Sequence, residues 1–142
     1  MWTNLPDRLR FARQQAKLST AEVGEALGVS ASTVARWERG QGAPHGADRA
    51  QLADIVRWNY HALFPPAEVL GQLDERDQEM FSRAKPPPGG GKRLRIPARF
   101  RADRETIKHL IDAWLIVPNG AEDIYRLTGP GEEVRRLART HR

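Results

Sequence analysis

The chain has 142 residues and a mass of 16.0 kDa, with 39% hydrophobic residues, 29% charged residues and a mean hydropathy of −0.63. That length allows one ordinary domain or two very small ones, and no apolar run approaches the ~20 residues that a membrane-spanning helix needs. The formal net charge is +5, and the lack of cysteine excludes disulfide scaffolds, thiol catalysis and cysteine-ligated zinc.

Met1-Trp2-Thr3-Asn4-Leu5-Pro6-Asp7 has no basic-then-apolar signature of a secretory signal, so a cytoplasmic location is expected. Leu5, Leu9, Ala12 and Ala16 then fall at helical spacing, with Pro6 suited to a first turn. Ser19-Thr20-Ala21-Glu22 has the S-x-x-E capping-box spacing and opens a short helix through Leu27, with Val23, Ala26 and Leu27 inward. Gly28 supplies the left-handed residue that ends it. Ser30 caps a third helix, Ala31 to Arg39, with Val34 and Trp37 inward and Gly40 at its close. A fourth helix, Ala47 to Val56, buries Ala50, Leu52, Ala53 and Val56.

Two short helices around a glycine turn, the second capped by serine, form a helix-turn-helix arrangement. The run Leu27-Gly28-Val29-Ser30, followed by Thr33-Val34 and Trp37-Glu38-Arg39-Gly40, resembles the lambda-repressor-like, Cro-type helix-turn-helix family, also called the xenobiotic-response-element family. The resemblance covers about residues 5–56. It implies that the second helix of the motif lies in the major groove of double-stranded DNA. Its base-reading positions are then Ala31, Ser32, Thr33 and Arg36. Arg36 is the strongest reader, because a guanidinium pairs bidentately with guanine O6 and N7. Ser19, Thr20, Ser30, Arg39, Gln41 and His45 are the implied phosphate contacts, assisted by helix N-terminal amides. Thr20 departs from the family's usual glutamine and reaches less far. Arg13 and Glu38 stand where the family often has a partly buried ion pair, a structural role. No cofactor is implied.

Trp58, Tyr60, Leu63 and Phe64 form an aromatic cluster, and Val69, Leu70, Leu73, Met80 and Phe81 fit one further helix with Asp74, Glu75, Asp77 and Glu79 on its wet side. Acidic residues at such spacing scatter around a helix, so no metal site is expected. That helix either completes the first core or pairs with a second copy of the chain. Pro86-Pro87-Pro88-Gly89-Gly90-Gly91 then breaks regular structure.

Beyond it, Arg93-Leu94-Arg95-Ile96 alternates as an edge strand does, and Asp103 is positioned to cap a helix through Leu115 with Ile107, Leu110, Ile111 and Trp114 inward. Leu115-Ile116-Val117 and Ile124-Tyr125-Arg126-Leu127 flank Pro118-Asn119-Gly120, a hairpin signal. A last helix runs from Glu132 to Ala138. Residues 103–139 resemble the closing half of a winged-helix domain, lacking the two preceding helices. The expected fold is mainly α: a four- to five-helix helix-turn-helix domain at 1–64, a helical extension at 65–84, a Pro/Gly linker at 85–92, and a small α+β module with a β-hairpin at 93–142.

The charge is unevenly spread. Residues 1–57 carry +2, residues 58–84 carry −3, residues 85–108 carry +6 and residues 109–142 are neutral. Lys92, Arg93, Arg95, Arg99, Arg101, Arg104 and Lys108 thus form a local basic stripe, suited to a second DNA contact or to a solvated linker. Catalysis is not expected. Gly89-Gly90-Gly91-Lys92 fails the phosphate-loop pattern at Pro86 and Arg93, and the four histidines lack metal-ligand spacing. The sequence therefore predicts a DNA-binding transcriptional regulator, a repressor of the phage or mobile-element immunity type, acting as a homodimer or as a monomer on an asymmetric site. The rival is an antitoxin-type regulator whose C-terminal module binds a protein or dimerises.

Overall fold

The computed structural model describes residues 4–86, 91–96, 101–120 and 124–140, without the side chains of 101–103. Its chain divides into two compact units, Met1–Pro65 and Pro66–Arg142. The first contains α1 (Leu5–Gln15), α2 (Thr20–Leu27), α3 (Ala31–Glu38), α4 (Ala47–Ile55) and α5 (Tyr60–Leu63). The second contains α6 (Pro66–Gln72), α7 (Glu75–Arg83), β1 (Arg93–Arg95), α8 (Arg101–Asp112), β2 (Ile116–Pro118), β3 (Ile124–Leu127) and α9 (Gly129–Thr140). The fold is mainly helical, with one three-stranded antiparallel sheet in the order β1-β3-β2.

In the first unit Leu9, Ala12, Val23, Leu27, Val34, Trp37, Leu52, Val56, Leu63 and Phe64 are buried together, so α1 to α5 share one core. Arginines complete it. Arg8 donates from Nε to the carbonyl of Leu63 at 3.1 Å, and Arg49 donates to the carbonyl of Pro44 at 3.1 Å while lying 5.1 Å over the Phe64 ring. Beside it, burial pushes the Tyr60 hydroxyl up to about 12, against the opposing charge of Arg49.

Helix endings follow one device, used with and without glycine. At α3, Gly40 has φ 80°, and the Gln41 amide reaches back to Arg36. At α1, α4 and α8 the left-handed position is taken by Lys17, Arg57 and Trp114, with φ of 60°, 60° and 59°. Each is followed by an amide bonded five residues back: Leu18 to Arg13, Trp58 to Ala53, and Leu115 to Leu110. This ends α8 at Asp112, short of the expected Leu115. Its start at Arg101 also places Asp103 inside the helix rather than at its cap.

The second unit corrects the sequence expectation in the helices on either side of its sheet segment, α7 and α9. The single helix expected across Val69–Phe81 is two, because Asp74 is extended and its side chain accepts from the Asp77 amide at 2.8 Å, opening α7 afresh. Helices α6 and α7, which make up the helical extension expected at 65–84, fall within the second unit. Helices α6 and α7 pack on α9, and α7 also packs on α8. α9 begins three residues earlier than Glu132, with the Thr128 hydroxyl accepting from the Gly131 amide at 2.8 Å. Asn119 donates to the carbonyl of Ile124 at 3.0 Å across the hairpin, whose residues 121–123 lie outside the described residues, as does the center of the proline–glycine run.

The C-terminus of α7 is closed by arginine. Arg135 on α9 is buried and donates to the carbonyls of Phe81 and Ala84, and Arg139 donates to that of Ser82 at 3.1 Å. Desolvation, then the nearby charge of Arg139, lowers the pKa of Arg135 from its ordinary value. Positive charge at the carbonyl end of a helix is also favoured by the helix dipole. An Arg135→Met chain keeps the apolar stem but leaves these carbonyls without their charged donor. We expect it to destabilise the second unit by about 2–3 kcal/mol, read as faster amide exchange in α7 and α9 with α1–α4 unchanged.

Candidate nucleic-acid interface

The second and third helices are set by local chemistry. Ser19 accepts from the Glu22 amide at 3.0 Å while Glu22 accepts from the Ser19 amide at 3.0 Å, a complete capping box. Gly28 then ends α2 at φ 85°. Ser30 accepts from the Thr33 amide at 3.1 Å to open α3. Between the helices the backbones approach closely. A Cβ at Gly24 would come within 2.7 Å of the Val29 carbonyl oxygen, so only glycine fits there.

Helix α3 has two distinct faces. Val34 and Trp37 are buried, whereas Ser32, Arg36 and Arg39 are exposed. Ala31 and Thr33 are half-buried at its first turn. Arg36 Nη2 lies 3.3 Å from the Thr33 hydroxyl, which in turn lies 2.9 Å from that of Ser30. Ser30, Thr33 and Arg36 are therefore linked along one exposed edge. Of the expected phosphate contacts, Ser19, Ser30, Arg39, Gln41 and His45 are exposed and Thr20 is half-buried. Ser19 and Ser30 carry the caps, so their hydroxyls are already oriented by the backbone.

The end of α3 is fixed to α1. Arg13 donates to both oxygens of Glu38, from Nε at 2.7 Å and Nη2 at 2.9 Å, and from Nη1 to the Leu18 carbonyl at 2.9 Å. Hydrogen bonding to Glu38 raises the Arg13 pKa further, against desolvation. Arg10 adds a bond to the Glu38 carbonyl at 3.2 Å and an ion-pair distance of 3.7 Å.

The basic stripe of the second unit is spread over two elements. Lys92, Arg93, Arg95, Arg104 and Lys108 are exposed. Lys92 lies 3.3 Å from Glu132, while Arg99 and the Arg101 side chain lie outside the described residues. Strand pairing adds a residue that sequence reasoning missed: Arg126 on β3 is exposed and stands directly opposite Arg93 on β1. The wet face of the sheet thus carries Arg93, Arg95 and Arg126 together. No spacing rule joins residues so far apart; only the β1–β3 register does.

Among the described residues, one group brings ligand-type atoms together, Asp74, Asp77 and His109, within 4.8 Å. Asp74 is the α7 cap, and Asp77 Oδ2 lies 2.8 Å from His109 Nδ1, tying α7 to α8. Those bonds account for the arrangement as structure. No helix among the described residues is long and apolar enough to cross a membrane.

Residues 5–58 match the family described as "Helix-turn-helix domain", and this part of the chain is such a domain. Double-stranded DNA is the partner that such a domain implies. No curated protein and no solved structure matches the chain significantly.

The partly buried bidentate pair gives a stability prediction. Glu38→Gln leaves Arg13 without its counter-charge and should cost the first unit about 3 kcal/mol. A lowered thermal midpoint, with α-helical circular dichroism retained at low temperature, checks it.

Proposed function

We propose that this chain is a sequence-specific DNA-binding transcriptional repressor of the phage or mobile-element immunity type. In this reading α3 enters the major groove, with Ala31, Ser32, Thr33 and Arg36 at base edges. Ser19, Thr20, Ser30, Arg39, Gln41 and His45 engage phosphates. The observation that carries it is the exposed edge of α3. Arg36 is held beside Thr33 within a helix-turn-helix domain, and the opposite side of that helix is packed into the core. The second unit adds phosphate contacts through Lys92, Arg93, Arg95, Arg99, Arg101, Arg104 and Lys108, joined by Arg126. This lets a single chain occupy an asymmetric site. Support comes from the strand register, which sets the exposed Arg126 directly opposite Arg93 and so gathers basic side chains on one face of the sheet.

Two measurements test this reading. Arg36→Ala should lose about 1–3 kcal/mol of discrimination at one base pair, seen by selecting bound sequences from a random pool. An unchanged preference refutes the role of α3. Arg93→Gln/Arg126→Gln should weaken binding alike on all sequences and make the log–log salt dependence shallower by about 0.9 for each phosphate that is no longer neutralised. An unchanged slope removes the second unit from the DNA interface.

A further inference from the structure

We infer that the second unit holds a binding site for a small organic anion with an apolar body. The site is a cavity of about 470 Å³ beside α7, within the size range of ordinary small-molecule pockets. One wall is a stripe of α7, Arg76, Glu79, Met80 and Arg83, at the i, i+3, i+4, i+7 spacing of a single helix face. The other wall is Lys85 and Arg95, which form an isolated antiparallel bridge with the Arg95 amide 3.0 Å from the Lys85 carbonyl. Ala84 and Ile96, both buried, and half-buried Met80 provide the apolar lining.

The charge of this cavity is what calls for a ligand. Four cations line it against one carboxylate, and that carboxylate, Glu79, lies 3.0 Å from Arg83. Arg76, Lys85 and Arg95 are exposed and have no carboxylate partner among the described residues. Lys85 and Arg95 also face each other as bridge partners, an unfavourable pairing of like charges. An anionic head placed between them offsets that repulsion with charge-assisted hydrogen bonds. An inorganic anion makes no use of Met80 and Ile96. A duplex presents phosphodiesters on a convex surface and keeps its apolar base faces stacked inside. The fit is therefore to a carboxylate- or phosphate-headed molecule carrying an aliphatic or aromatic body. This site does not rest on the DNA-binding reading, with which it shares Arg95, and Arg76 and Lys85 lie outside the residues assigned to DNA.

The test is calorimetric titration of the full chain with decanoate and 2-naphthoate, with decanol and inorganic phosphate as probes of body and head alone. At least one carboxylate should bind at one per chain, at least about tenfold more tightly than decanol or phosphate, since one charge-assisted bond supports such a factor. Arg76→Gln and Lys85→Gln should each weaken that binding about tenfold, with unchanged thermal midpoint and unchanged DNA affinity. Saturable binding of neither carboxylate overturns the proposal, as does equal binding of decanol or equal binding by the variants. A duplex affinity that falls about tenfold in Arg76→Gln and Lys85→Gln overturns it as well, by making this face part of a nucleic-acid surface.

Discussion

Glu38 is the group on which the geometry of the first unit depends. It is 6% exposed and sits in the last turn of α3, where the helix dipole disfavours negative charge. Burial and dipole together make an unpaired carboxylate there costly, so its two bonds from Arg13 are a condition of the fold rather than an addition to it. Because Arg13 also holds the Leu18 carbonyl, one guanidinium fixes the end of α1, the entry to α2 and the end of α3. Gly24 sets the opposite constraint, bringing α2 and the turn before α3 into backbone contact. The exposed edge carrying Arg36 is thus oriented by a clamp at one end and a close approach at the other.

The first unit was legible because its signals are local. A capping box, a glycine in the left-handed region and a serine cap lie within a dozen residues of one another and specify α2, the turn and α3 with almost no reference to the rest of the chain. Elsewhere the deciding contacts lie far apart. Asp74 looked like one of several solvated acids, yet it caps α7 and splits the expected helix. Lys17, Arg57 and Trp114 take a conformation usually left to glycine, so no residue type announced those helix ends. The assignment of α6 and α7 to the second unit depends on Arg135 and Arg139, more than fifty residues downstream of the carbonyls they hold. Arg126 likewise joined the basic face only through strand register.

The use of arginine changes what the net charge means. Of the cations in residues 1–57, Arg8, Arg13 and Arg49 are turned inward onto backbone carbonyls, with Arg13 on Glu38 as well. Their formal charge is spent on positioning the backbone and contributes little to the field at the surface. In the second unit Arg135 and Arg139 serve α7 in the same way. A guanidinium suits this work because its fork of donors reaches several carbonyls while its stem packs as an apolar chain. What remains outside is sorted by place. Arg36 and Arg39 lie on the exposed side of α3, Arg93, Arg95 and Arg126 line the sheet face, and Arg76 and Lys85 border the cavity beside α7. The +5 of the whole chain therefore counts clamps and contact groups together, and only the second kind bears on what the protein binds. Arg95 belongs to two of these sets, at the sheet face and at the cavity rim, so an anion seated beside Lys85 draws on a charge that the sheet face would otherwise present to a phosphate.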